Sequence, residues 1–168
     1  MNVATNITGR LTPALRTADL RLAAWLARRS VTVLRISLGL TFLGFGVLKF
    51  FPGLSPAEPL AAQTLHILTL GLIPDRIALV GVASLESAIG ILLLSGRLLR
   101  LALALLALEM IGILSPLVLL PTVMFRGLVE PTLEGQYVLK DIVVAAAGLV
   151  VAAQALGDRM VVVKARSQ

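Results

Sequence analysis

Residues 77–120 read IALVGVASLESAIGILLLSGRLLRLALALLALEMIGILSPLVLL, and this stretch decides the fold. Two apolar runs are joined by the basic bridge Ser95-Gly96-Arg97-Leu98-Leu99-Arg100, and each run holds one acid near its middle, Glu86 and Glu109. A run of about 18 or more apolar residues with few charges is long enough to cross a bilayer as a helix. A carboxylate at the centre of such a run is costly in hydrocarbon, so it faces protein or a wet cavity. The stretch therefore implies two membrane helices with a polar interior between them.

Composition supports lipid as the solvent. Of 168 residues, 58% are hydrophobic and 14% are charged, and the mean hydropathy is +0.97. A soluble domain has about 25% charged residues. The chain is long enough for one bundle and no second domain. The net charge of +6 lies at the ends of the apolar runs, as the positive-inside bias of membrane proteins places it. No nucleic-acid partner is expected. The chain has no cysteine and one histidine, His66, which excludes thiol relays, thiolate metal sites, iron–sulfur clusters and a bis-histidine haem within one chain. No metal site and no cofactor held by the chain alone is expected.

Working outward, the reading gives four spans at about 31–51, 77–95, 98–120 and 138–156 within a membrane domain over 31–157. Residues 1–30 are expected as a leader carrying an amphipathic interfacial helix anchored by Trp25, or as an extension of the first span into water. Residues 158–168 are expected as a tail. The fold class is an all-α integral membrane four-helix bundle. In the first span Arg35, Gly39, Phe42, Gly46 and Lys49 share one stripe, and its glycines permit close helix approach. Arg35 is expected to snorkel to the interface. Ser55-Pro56-Ala57-Glu58 reads as a capping box opening a short helix across the outer mouth, with His66 structural on it. Ser115-Pro116 marks a kink in the third span. Residues 121–133 are expected as a loop, with Lys140 and Asp141 in the first turn of the fourth span.

Arginine and lysine set the orientation. Arg10, Arg16, Arg21, Arg28, Arg29, Arg97, Arg100, Arg159, Lys164 and Arg166 fall on one side of four spans; Arg76 and Arg126 fall on the other. Both termini are expected in the cytoplasm, in a multi-pass protein of the bacterial plasma membrane.

Glu86 and Glu109 lie at matching depths. They are either a proton-handling or polar-ligand site, or neutral hydrogen-bond donors between helices. Lys49 and Glu86 are expected to pair, because helical side chains tilt toward the N-terminus and so lean toward each other in antiparallel spans. Tyr137, Lys140 and Asp141 enter from the same side and are expected to complete the cluster. No phosphate-binding glycine loop, nucleophile elbow or metal-ligand spacing is present.

Leu38-Gly39-Leu40-Thr41-Phe42-Leu43-Gly44-Phe45-Gly46-Val47-Leu48-Lys49-Phe50 resembles the glycine-rich first span of the DoxX family. Leu85-Glu86-Ser87-Ala88-Ile89-Gly90 through Gly96-Arg97 is similar to that family's second span, and Glu134-Gly135-Gln136-Tyr137-Val138-Leu139-Lys140-Asp141 to the start of its fourth. The resemblance implies a four-helix membrane protein with a redox role. Relatives include membrane subunits of thiosulfate:quinone oxidoreductase and a component of a mycobacterial membrane complex that handles oxidative stress. It implies a quinone as ligand, and a redox subunit or a second copy of the chain as partner within the lipid bilayer. The alternatives are a small proton-coupled transporter and a structural or chaperone-like membrane protein.

Overall fold

The computed structural model describes residues 13–127 and 129–166. The first part of the expected leader, with Arg10, and the last two residues of the expected tail lie outside the described residues. Among the described residues four helices are long and apolar enough to cross a membrane, within Leu15–Lys49, Asp75–Ser95, Leu99–Leu119 and Leu133–Gly157.

The first helix, α1, runs unbroken over Pro13–Lys49. No glycine or proline interrupts it between Ala14 and Leu38, so the leader segment and the first span are one helix. At 1.5 Å per residue it is roughly 55 Å long, well beyond the ~30 Å hydrocarbon core. It therefore extends past the bilayer, with Leu22 and Trp25 exposed. It ends at Phe51-Pro52-Gly53, where Phe50 and Phe51 donate three residues back, to Val47 and Leu48.

A short helix α2, Glu58–Leu68, follows. The expected capping box does not form. The Glu58 carboxylate instead accepts from the Gly53 N–H at 2.7 Å, and Ser55 is buried beneath the turn. His66 Nδ1 lies 3.1 Å from Asp75 Oδ1 and ties α2 to the start of α3, Asp75–Ser95.

The turn from α3 into α4, Leu99–Leu114, occupies three residues. Gly96 takes the left-handed C-cap conformation with φ +64°. Ser115 closes α4, its hydroxyl donating to the Gly112 carbonyl at 2.7 Å. Pro116 opens the one-turn α5, Pro116–Leu119, so the third span is jointed at Ser115-Pro116. Where a plain loop was expected, a one-turn α6, Pro121–Met124, leads into a small antiparallel hairpin, β1 (Phe125–Arg126) with β2 (Glu130–Pro131).

The last helix, α7, spans Leu133–Arg166. It starts five residues before the expected point, because Thr132 serves as its cap. The Thr132 hydroxyl accepts from the Gly135 N–H at 3.0 Å and donates to the Val123 carbonyl at 2.6 Å. The helix also runs through Gly157, where an end was expected. A single glycine costs only about 1 kcal/mol in a helix and does not stop one.

The bundle thus has a turn end, at Gly96, and a hairpin end, at β1–β2. Its apolar core lies toward the turn end and consists of Leu38, Phe42, Ile89, Leu93, Ala102, Leu106, Met110 and Val151. Val33, Leu40, Phe45, Ile91, Leu108, Ile111, Val143 and Leu149 are exposed around the outside. A water-facing surface of this kind would be costly, whereas lipid accepts it.

The most extensive packing is between α1 and α3. Their ends are capped reciprocally by arginines. Arg35 donates from Nη1 to the Leu93 carbonyl near the end of α3. Arg76, at the start of α3, donates to the Lys49 and Phe50 carbonyls at the end of α1. The last carbonyls of a helix lack partners within it, and a cation there also opposes the helix dipole.

Candidate functional site

The site is built on the close approach of α1 and α3. A Cβ at Gly46 would stand 2.7 Å from Ser87 Oγ, 2.8 Å from Ser87 N and 3.0 Å from Glu86 Cβ. One at Gly90 would stand 2.5 Å from the Leu43 nitrogen. These two positions let the backbones meet, and Lys49 lies one turn beyond Gly46. The result is an ion pair between Lys49 Nζ and Glu86 Oε1, with side chains only 10% and 4% exposed.

The pair leaves hydrogen-bonding capacity unused. Glu86 Oε2 and Ser87 Oγ are both buried and have no partner. Buried polar atoms are usually satisfied, because each unpaired one costs about 1–3 kcal/mol. Two consecutive residues of α3 thus each hold a buried polar atom without a partner.

Two further acids face the pair. Glu109, on α4, is buried and senses the charges of Glu86 and Lys49. Asp141, on α7, is partly buried and senses the same two. Three carboxyl groups from three helices therefore lie within electrostatic range of one ammonium, toward the hairpin end of the core. Among the described residues no group of His, Asp and Glu is arranged to hold a metal ion. The chemistry open to this cluster is holding and passing protons, and hydrogen bonding to a ligand.

The structure divides the six residues singled out from sequence. Lys49, Glu86, Glu109 and Asp141 come together. Tyr137 and Lys140 do not join them: Tyr137 is 59% exposed, and the Lys140 ammonium lies 5.3 Å from its ring centroid. They form a cation–π pair on the outside of α7. Because α7 begins at Leu133, Lys140 and Asp141 sit beyond its first turn and already lie alongside the bundle. Sequence reasoning missed the Ser87 hydroxyl and the capping roles of Arg35 and Arg76. The position of Ser87 immediately after a buried acid was the one available signal.

In comparison with known proteins, the family model for DoxX matches residues 30–120. This range covers the first three spans and includes Lys49, Glu86, Ser87 and Glu109. No curated protein and no solved structure matches the chain.

Proposed function

The chain belongs to the DoxX family, and from that premise we propose that it is a membrane subunit of a quinone-linked or oxidative-stress redox system, taking a quinone-type ring beside the Lys49–Glu86 pair. The observation that carries this reading is the adjacent pair of orphans, Glu86 Oε2 and Ser87 Oγ, in the membrane interior. Ligand sites are mostly apolar with a few convergent polar groups, and this one has that character. Glu86 Oε2 accepts from a ligand hydroxyl, and the Ser87 hydroxyl donates to a ligand carbonyl.

A bound quinone would supply two-electron, two-proton interconversion. The chain's own part is to orient the ring and to carry protons on Glu109 and Asp141, next to the pair. In this reading electrons come through a partner redox subunit, since thiol relays, iron–sulfur clusters and a bis-histidine haem are closed to a chain with no cysteine and a single histidine. The arginine distribution supports a turn end facing the cytoplasm of a bacterial cell, with the hairpin end outside.

The test is the quinone content of protein purified from its native membrane, measured by chromatography of the extracted lipid. Wild type is expected to retain quinone above the level of the surrounding lipid. Ser87→Ala and Glu86→Gln, confirmed as folded by circular dichroism, are expected to lose it. Wild-type protein carrying quinone only at the background level of the bilayer overturns the reading.

A further inference from the structure

At the turn end, away from the acidic cluster, a half-open cavity of about 180 Å³ lies between α1, α4 and α7. Thr32 and Arg35 line it from α1, Leu99 from α4, and Val151 and Gln154 from α7. We propose that this cavity binds the phosphate group of an anionic glycerophospholipid.

Arg35 is the first ground. It lies about one turn after the start of the first span at residue 31, on the turn side of the bundle. One of its five N–H donors caps Leu93, and among the described residues no carboxylate pairs with it. A partly buried guanidinium with free donors and no counter-ion is a ready partner for a phosphate, which it binds in a charge-assisted, bidentate manner.

Depth is the second ground. A Cβ on Gly96 would stand 2.6 Å from Arg35 Nη1, so the guanidinium lies against the α3–α4 turn. That tight turn marks where the chain re-enters the membrane, which is headgroup level. Arg28, Arg29, Arg97 and Arg100 surround this end and favour an anion over a zwitterion. Basic pockets between spans are where anionic headgroups bind.

Size and lining are the third. Pockets that enclose a drug-sized ligand measure roughly 300–1,000 Å³. A volume of 180 Å³ admits a headgroup phosphate and leaves the rest of the molecule in the bilayer. Thr32 and Gln154 add donors for the phosphate and glycerol oxygens. Val31 and Ala155 complete the lining of the same cavity.

The test uses the full chain, purified in detergent and titrated with phosphatidylglycerol, phosphatidylcholine or inorganic phosphate under native mass spectrometry. Wild type is expected to bind one phosphatidylglycerol about tenfold or more tightly than phosphatidylcholine, the scale of one charge-assisted contact. Ala155→Trp fills the cavity but leaves Arg35 on its cap; it is expected to remove this preference without lowering the melting temperature. Gln154→Leu, at an exposed position, removes one donor without disturbing packing and is expected to weaken phosphatidylglycerol binding severalfold. Equal binding of the two lipids, or unchanged phosphatidylglycerol binding in both variants, overturns the proposal. Displacement of the lipid by millimolar inorganic phosphate overturns the lipid as the source of the anion.

Discussion

Lys49→Met and Glu86→Gln are expected to destabilise the bundle unequally, and the double variant to recover part of the loss. Removing one partner of a buried ion pair strands the other, at about 3–5 kcal/mol. Lys49→Met meets that full cost, since it leaves Glu86 without its cation, with Glu109 and Asp141 deprived of the same neighbour. Glu86→Gln is milder. Its amide oxygen still accepts from the Lys49 ammonium, and two other carboxyl groups remain within electrostatic reach, so a loss of about 1 kcal/mol is expected, the difference between a charged and a neutral acceptor. In the double variant neither side is stranded, and a coupling of about 1–3 kcal/mol between the two sites is expected. Reversible unfolding in mixed micelles, followed by far-ultraviolet circular dichroism, gives the four stabilities of the cycle. Strictly additive effects would refute the pair as a unit. A greater loss from Glu86→Gln than from Lys49→Met would refute the surplus of acids around one ammonium.

Glu109→Gln keeps the size and hydrogen-bonding capacity of the side chain and is expected to cost less than about 1 kcal/mol, whereas Glu109→Lys brings a second buried ammonium near Lys49 and is expected to abolish folded protein; equal yields of the two in size-exclusion chromatography would contradict this. Gly90→Val forces apart the backbones that meet at Leu43, with an expected loss of about 1–3 kcal/mol from overpacking, read by thermal unfolding; an unchanged melting temperature would refute the close approach. Thr132→Val removes the cap of α7 and its tie to α6 and is expected to cost about 1 kcal/mol, with faster hydrogen exchange confined to 121–136; global acceleration would point to another role. Glu130→Cys is expected to react with an impermeant thiol reagent in intact cells and Arg97→Cys not to, and the reverse labelling would invert the orientation.

The architecture was legible because hydrocarbon imposes simple demands. Long apolar runs, glycine-marked breaks and arginine at one set of ends could be read in one dimension, and the described residues hold four helices long and apolar enough to cross a membrane. The reading was weaker wherever a local signal competed with a tertiary partner. Ser55 and Glu58 have capping-box spacing, yet the Glu58 carboxylate found the Gly53 N–H. Arg35 has the spacing of a cation bound for the interface, and only the facing helix supplied the Leu93 carbonyl that it caps.

The candidate site shows the same division. The sequence by itself determined that acids would be buried near mid-membrane, that Lys49 and Glu86 would lean toward one another, and that small residues would line one face of α1. Helical periodicity and side-chain tilt are local properties and carry that much. Only the tertiary structure decided which residues meet. Asp141 is partly buried while Tyr137 and Lys140 are exposed, because the packing of α7 against α1 and α4 sets its rotation. Glu86 Oε2 and Ser87 Oγ became orphans because the contact at Gly46 brings α1 against Ser87 and presents one carboxylate oxygen, not both, to Lys49. Whether a buried polar atom is satisfied depends on the three-dimensional neighbourhood of the helices around it, and no spacing along the chain encodes that.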